Sequence, residues 1–161
     1  MKIFTIARVK VSSVFDDPMF PELKNEYEEE CRAAEMPSSK PDPEYYMALQ
    51  EHGLLSCAAA YVGDRLIGFV TVLTTNYSHY GEKLSSTESL FLSKKARKCG
   101  AGLELLKEAE TIAREAGSPT LLVSAPRGGV LEKLLPHWKY RNTNSVFMKD
   151  LRSANDQSAC N

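Results

Sequence analysis

Between Glu88 and Ala116 the chain changes its hydrophobic period, and that change limits the fold more than any other feature. The stretch "TESLFLS" has the length and apolar content of a short strand, whereas "LELLKEAETIAREA" (residues 103–116) has a different rhythm. It places Leu105, Leu106, Ala109, Ile112, Ala113 and Ala116 on one face and charges on the other, the pattern of a helix packed on a sheet. "ARKCGAGLELL" joins the two and puts Gly100 and Gly102 where the helix is about to begin. A helix start usually carries a side-chain cap. Bare backbone there implies that something else comes close.

The remaining chain supplies the other layers. "KIFTIARVKV" alternates apolar and polar from Ile3 to Val11 and reads as a half-buried strand. "DDPMFPELKNEYEEECRAAEM" follows, with Leu23, Tyr27, Cys31 and Ala34 at helical spacing and Asp16 and Asp17 near its start. "PSSKPDP" breaks that helix, and "EYYMALQEHG" reads as a second, closed by Gly53. In "LLSCAAAYVGDRLIGFVTVLTT" two apolar runs flank Gly63-Asp64, a hairpin with its turn at "VGDR". "NYSHYGEKLSS" reads as a polar, aromatic loop.

After Gly117, "PTLLVSA" has the near-continuous apolar character of an interior strand. "GGVLEKLLPHW" is expected to form a short helix stopped near Pro136, and "SVFMKDL" a final strand. This order implies an α/β chain with a central mixed sheet flanked by about four helices. A single domain over 1–152 and a polar tail over 153–161 are expected.

Charge and composition exclude several function classes. Twenty basic against twenty-one acidic side chains in 161 residues provide no general attraction to nucleic acid or to an anionic membrane. No stretch approaches the roughly 18 apolar residues of a membrane span, and the N-terminal sequence lacks a signal-peptide pattern. Cys31, Cys57, Cys99 and Cys160 are scattered without a CxxC pair, so neither a zinc site nor a disulfide framework is indicated, no metal is expected, and a reducing cytoplasm is the simplest setting. Neither His79 with His52 nor His79 with His137 has metal-ligand spacing.

The glycine pair fits either a tight strand-to-helix turn or a loop that receives phosphate. Glycines let backbone N–H groups approach a ligand, a helix start adds positive partial charge, and Arg97 and Lys98 add two cations. Leu105 stands where a dinucleotide fingerprint needs a third glycine, and the Gly-Lys-Ser/Thr of a P-loop is absent. What remains resembles the GNAT family of acyl-CoA-dependent N-acyltransferases. Its signature Arg/Gln-x-x-Gly-x-Gly/Ala is met by Arg97, Gly100 and Gly102, and Glu88, Leu90 and Leu92 fall at its acidic and apolar strand positions. Only residues 88–106 carry specific likeness; elsewhere the agreement is one of element order.

The resemblance implies acetyl-CoA as cofactor, its pantetheine arm along Leu90, Phe91 and Leu92, and its pyrophosphate over Lys98, Cys99, Gly100, Ala101, Gly102 and Leu103, with Arg97 beside it. It implies direct attack by a primary amine in a ternary complex, with Glu88 as general base and a Leu90 or Leu92 N–H as oxyanion donor. Many relatives place a tyrosine acid in the stretch matched here by "LLPHWKY", where Leu135 stands instead. Tyr140, His137 and the loop residues Tyr77, His79 and Tyr80 are the substitutes, and water is another.

An acidic run (Glu22, Glu26, Glu28, Glu29, Glu30, Glu35) suggests either a wall attracting a cationic acceptor or a solvated helix face. A non-catalytic CoA- or protein-binding module is one alternative. An acyltransferase acting on a macromolecule is another, for which "HWKYRN" supplies a small basic and aromatic patch. A homodimer stays open.

Overall fold

The computed structural model describes residues 3–33, 36 and 38–151. Its centre is a five-stranded sheet with spatial order β1-β2-β3-β4-β5, made of Thr5–Val9, Leu55–Val62, Arg65–Tyr77, Glu82–Leu92 and Leu121–Leu122. The first four strands run antiparallel, and β5 joins β4 in parallel. A mixed sheet is what the order of elements implied.

Both faces of the sheet are covered. Helix α1 spans Val11–Phe15, α2 Phe20–Cys31, α3 Pro43–Glu51 and α4 Ala101–Glu115. Along β2 and β3 the pleat alternates. Ala58, Ala60, Val70 and Val72 meet Ala101, Leu105, Ala109 and Ile112 of α4, while Cys57, Ala59 and Phe69 meet Val11, Val14 and Leu23 on the opposite face. Leu105, Leu106 and Ile112 are each at most 3% exposed. Burying each contributes about 1.5–3 kcal/mol, which is why α4 forms where its period predicts.

Several expectations need correction. The first strand stops at Val9, because Val11 and Val14 serve the core better as one turn of helix. "NYSHYGEKLSS" is not a loop: Asn76 pairs with Lys83 and Tyr77 with Glu82, leaving a tight turn in which Tyr80 and Gly81 both donate to the Tyr77 carbonyl. Residues 76–83 are exposed, which is why this end of the hairpin takes polar residues. "PTLLVSA" is no interior strand. Only Leu121 and Leu122 pair, at the sheet edge, and Leu122 stays 43% exposed. "SVFMKDL" forms no strand, since Val146 and Phe147 are about nine-tenths exposed and no ladder partner lies beside them among the described residues. β-Branched and aromatic content favours a strand only where another strand offers an edge.

The chain divides into two compact units, Met1–Tyr27 with Pro41–Ser124 and Glu28–Lys40 with Ala125–Asn161. The second contains α5 (Val130–Leu134), followed by a 3₁₀ turn over Leu135–Trp138, where Pro136 sits. Ala34, Glu35, Cys160 and the expected tail over 153–161 lie outside the described residues.

Candidate active site

Strand β4 is continuous, yet its pairing changes at Glu88. Opposite β3 the register steps from Thr71↔Ser89 to Val72↔Thr87, so Glu88 is an extra residue in a β-bulge. The step reverses the pleat. Ser89 and Phe91 share a face with Thr71 and Phe69, whereas Thr87 shares the α4 face with Val72. Glu88 and Ser89, neighbours in sequence, therefore both serve the side that carries α3.

Three hydroxyls converge on the Glu88 carboxylate. Tyr46 Oη donates to Oε1 at 2.6 Å, Thr71 Oγ1 to Oε2 at 3.0 Å and Ser89 Oγ to Oε2 at 2.7 Å. Thr71 Oγ1 in turn accepts the Ser89 N–H at 3.0 Å. Burial, and then the hydrogen bond to Glu88, raise the Tyr46 pKa well above the usual phenol value, so Tyr46 is a fixed donor. It comes from α3, whose start Asp42 caps through Glu44 N–H and Tyr45 N–H.

Beyond the bulge, β4 lacks a second neighbour. Strand β5 pairs only with Ser85 and Ser86, so the edge from 88 to 92 carries no strand among the described residues. Ser93 N–H donates to Ile67 O at 2.8 Å, and Phe91 lies opposite Phe69. By alternation, the N–H groups of Leu90 and Leu92 point to the open edge. The strand end sits close to its neighbour at Gly68, where a Cβ would meet Phe91 O at 2.6 Å.

The loop after β4 is a 3₁₀ turn over Lys94–Cys99 and then α4. Gly100 takes φ +88° and gives the helix no side-chain cap. The first intrahelical bond is Glu104 N–H to Gly100 O at 3.3 Å, so the N–H groups of Ala101, Gly102 and Leu103 have no carbonyl inside the helix. A Cβ on Gly102 would meet only Leu92 within 4 Å, at 3.6 Å. Lys98 is exposed. Arg97 Nε donates to Leu92 O at 3.2 Å, and its guanidinium lies 5.6 Å from the Phe91 ring centre. Cys99 Sγ donates to Ala96 O at 2.9 Å.

The acidic face of α2 is partly spent on this loop. Glu26 accepts the Lys94 N–H at 2.9 Å, and Glu22 pairs with Lys95 at 3.4 Å and Arg65 at 3.9 Å. Glu28 holds Ser39 N–H at 3.1 Å. These carboxylates brace local structure. His137 and Tyr140 belong to the other unit. There His137 Nδ1 donates to Lys133 O at 3.0 Å and Tyr140 N–H to Leu135 O at 3.0 Å, closing the last turns. Tyr77, His79 and Tyr80 pack against one another at the exposed β3–β4 turn, where Tyr77 pairs with Glu82 at the far end of β4 from Leu92. Among the described residues, no group of three or more His, Cys, Asp and Glu side chains is arranged to hold a metal, and no helix is long and apolar enough to cross a membrane.

Sequence reasoning reached Glu88 and the glycine loop. It missed Tyr46, Thr71, Ser89 and the bulge, because none has a local signal: Tyr46 is 42 residues from Glu88 and reads as packing.

With bulge, open edge and uncapped helix start in view, the chain belongs to the acetyltransferase (GNAT) family, whose model matches residues 20–127. It is an acetyltransferase by that membership. No curated protein matches it in sequence. Among solved structures it is similar to a ribosomal-protein-alanine N-acetyltransferase from Brucella melitensis biovar Abortus 2308, at 19% identity over 91% of this chain and 97% of that one, with a TM-score of 0.66. A second likeness is to an aminoglycoside acetyltransferase from an uncultured soil metagenomic sample, in complex with sisomicin, at 18% identity, 92% and 97% coverage and a TM-score of 0.68. A third is to an integron cassette protein from the mobile metagenome of V. cholerae, at 17% identity, 98% coverage of both chains and a TM-score of 0.67. At such identities these likenesses speak for the fold alone.

Proposed function

We propose that this acetyltransferase moves an acetyl group from acetyl-CoA to a primary amine by direct attack in a ternary complex, with Glu88 as general base. The observation that carries the reading is the Glu88 carboxylate, aimed by a bulge and standing at the start of the open edge of β4. The residues present fit coenzyme A: Gly102 leaves space for a close approach, three N–H groups at the start of α4 lack helix partners, and Leu90 and Leu92 present donors on an unpaired edge. Acetyl-CoA, when bound, supplies the acetyl group in activated form as a thioester.

The chain's residues do the rest. The N–H groups of Ala101, Gly102 and Leu103, with Lys98, hold the pyrophosphate, and Leu90, Phe91 and Leu92 hold the pantetheine arm through their backbone. Cys99 and Gly100 shape the loop, and Arg97 pins it to β4 through the Leu92 carbonyl. Glu88 accepts the proton that the amine must lose to act as a nucleophile. Tyr140, with His137 second, is the proposed proton donor, on chemical type and on position in "LLPHWKY"; water is the alternative. The whole of 1–152 is taken as one functional domain, matching the span of the resemblance.

The acceptor is an amine. The names of the similar structures bring forward both an aminoglycoside and a protein alanine, and a cationic acceptor gains little from Glu22 and Glu26, which are engaged by the loop. A cytoplasmic setting is proposed on the thiols of Cys57 and Cys99, neither of which forms a disulfide.

The test is Glu88→Gln, assayed by thiol release with a panel of amines. Turnover is expected to fall by roughly 10² to 10⁴ with CoA affinity by calorimetry nearly unchanged. Part of the rate should return as pH rises, because more of the amine then arrives neutral. Full activity from about pH 6 to 9 would return Glu88 to a structural strand position.

A further inference from the structure

We infer that Tyr46 is a positioning residue, which commits the hydrogen bonds of the Glu88 carboxylate so that a single acceptor site on Oε1 is left to take a proton. The inference rests on the reading of Glu88 as the base. Each carboxylate oxygen offers about two lone-pair sites. Oε2 has both filled, by Thr71 Oγ1 at 3.0 Å and Ser89 Oγ at 2.7 Å. The Thr71 hydroxyl has little choice of direction, because its oxygen already accepts the Ser89 N–H at 3.0 Å. Oε1 accepts from Tyr46 at 2.6 Å, which leaves one site.

The phenol is held as firmly as the group it holds. Its ring packs edge-on against Phe15 at 5.3 Å, and Phe15 packs against Phe20 at 5.0 Å. Tyr46 is half-buried in the apolar layer between α1, α2 and α3. Its pKa, raised chiefly by burial, keeps the proton on the phenol, so Tyr46 does not compete with Glu88 as a base. Without this donor, Oε1 has two equivalent sites and the carboxylate loses its one tether outside β3 and β4 among the described residues. The base remains, but its aim does not.

Tyr46→Phe keeps the ring against Phe15 and removes only the donor. It is expected to lower kcat by about tenfold to a hundredfold, the scale of a misdirected catalytic group, with the KM for acetyl-CoA unchanged. Added to Glu88→Gln, it should cost nothing further, because it acts through Glu88. A readout apart from activity is the NMR titration of ¹³C-labelled tyrosine. The signal missing in Tyr46→Phe should titrate above the other tyrosines in the wild type and move down in Glu88→Gln. If Glu88→Gln is crippled while Tyr46→Phe is fully active, the positioning role fails and the base stands. If Glu88→Gln is fully active, the base reading fails first. A Tyr46→Phe defect that persists in full on the Glu88→Gln background, or a Tyr46 titration indifferent to Glu88→Gln, also overturns the inference.

Discussion

The two halves of β4 meet different fates. From Glu82 to Thr87 the strand is closed on both edges: β3 lies on one side, and on the other Ser85 and Ser86 pair with β5 while Ser118 Oγ accepts the Ser85 N–H at 2.9 Å. Ser85 is fully buried, and its hydroxyl shares a 2.7 Å bond with Thr74. From Glu88 to Leu92 only β3 pairs with it among the described residues. The same strand thus anchors the sheet at one end and offers unpaired donors at the other, with the bulge as the boundary. An unpaired edge is usually an aggregation liability; here it is short and stands beside a bulge and a cationic loop, where a ligand rather than another strand is the natural partner.

The largest expected contrast is in amide hydrogen exchange. Ser85 should exchange only on near-global unfolding, an opening of about 5–15 kcal/mol, whereas Leu90 and Leu92 should exchange with almost no opening cost. Added CoA should slow Leu90 and Leu92 and leave Ser85 alone. Equal protection in the free protein would erase the distinction between the halves.

Thiol chemistry sharpens the same contrast from outside the strand. Cys57 in β2 is buried, and burial pushes its thiol up to about 12 from an ordinary 9.0, which costs about a thousandfold in thiolate near neutral pH. Cys99, half-buried in the loop, should be alkylated much faster, and CoA should slow it. Rates at Cys99 indifferent to CoA would count against the loop as its site.

Gly102→Val comes next. It fills the space left at the helix start and should weaken CoA binding about a hundredfold, the upper end of an overpacking penalty of about 3 kcal/mol, while the thermal midpoint stays near that of the wild type. Calorimetry with unchanged affinity would remove the pyrophosphate from this turn. The smallest effect belongs to the closed half: Ser118→Ala leaves the Ser85 N–H buried without its acceptor and should cost about 1 kcal/mol in denaturant unfolding, with CoA affinity unaltered. An equal loss of CoA affinity would mean that the halves are not independent.

Legibility in the sequence follows the range of the cause. Helix α4 and the β2–β3 hairpin were readable because period and turn chemistry are local: Gly63 does adopt φ +57° beside Asp64. The glycine pair was readable as a sharp entry into a helix, and Gly100 takes the left-handed φ of +88° that favours glycine there. The arms of the β3–β4 hairpin were hidden, since exposed strands take polar residues and look like loops. The run at 145–151 misled in the opposite sense, for a strand exists only where an edge receives it. Glu88 was found as a carboxylate in a strand, but its three donors come from residues 46, 71 and 89, and only tertiary structure assembles them.

The bulge at Glu88 also decides how β4 responds to a change in length. Replacing a side chain there leaves the parity of the strand intact, so 82–87 and 89–92 keep their inward and outward sides. Deleting Glu88 itself would leave Thr87 on the α4 face and Ser89 on the opposite one, an unbroken two-residue repeat in which both halves keep their sides and only the carboxylate is lost. Deleting Ser86 instead, with the bulge kept, would move Ser85 out of its buried place and Leu84 into it. The extra residue at the bulge thus adds a carboxylate without deciding which residues are inside, whereas a change of length within either half does decide it.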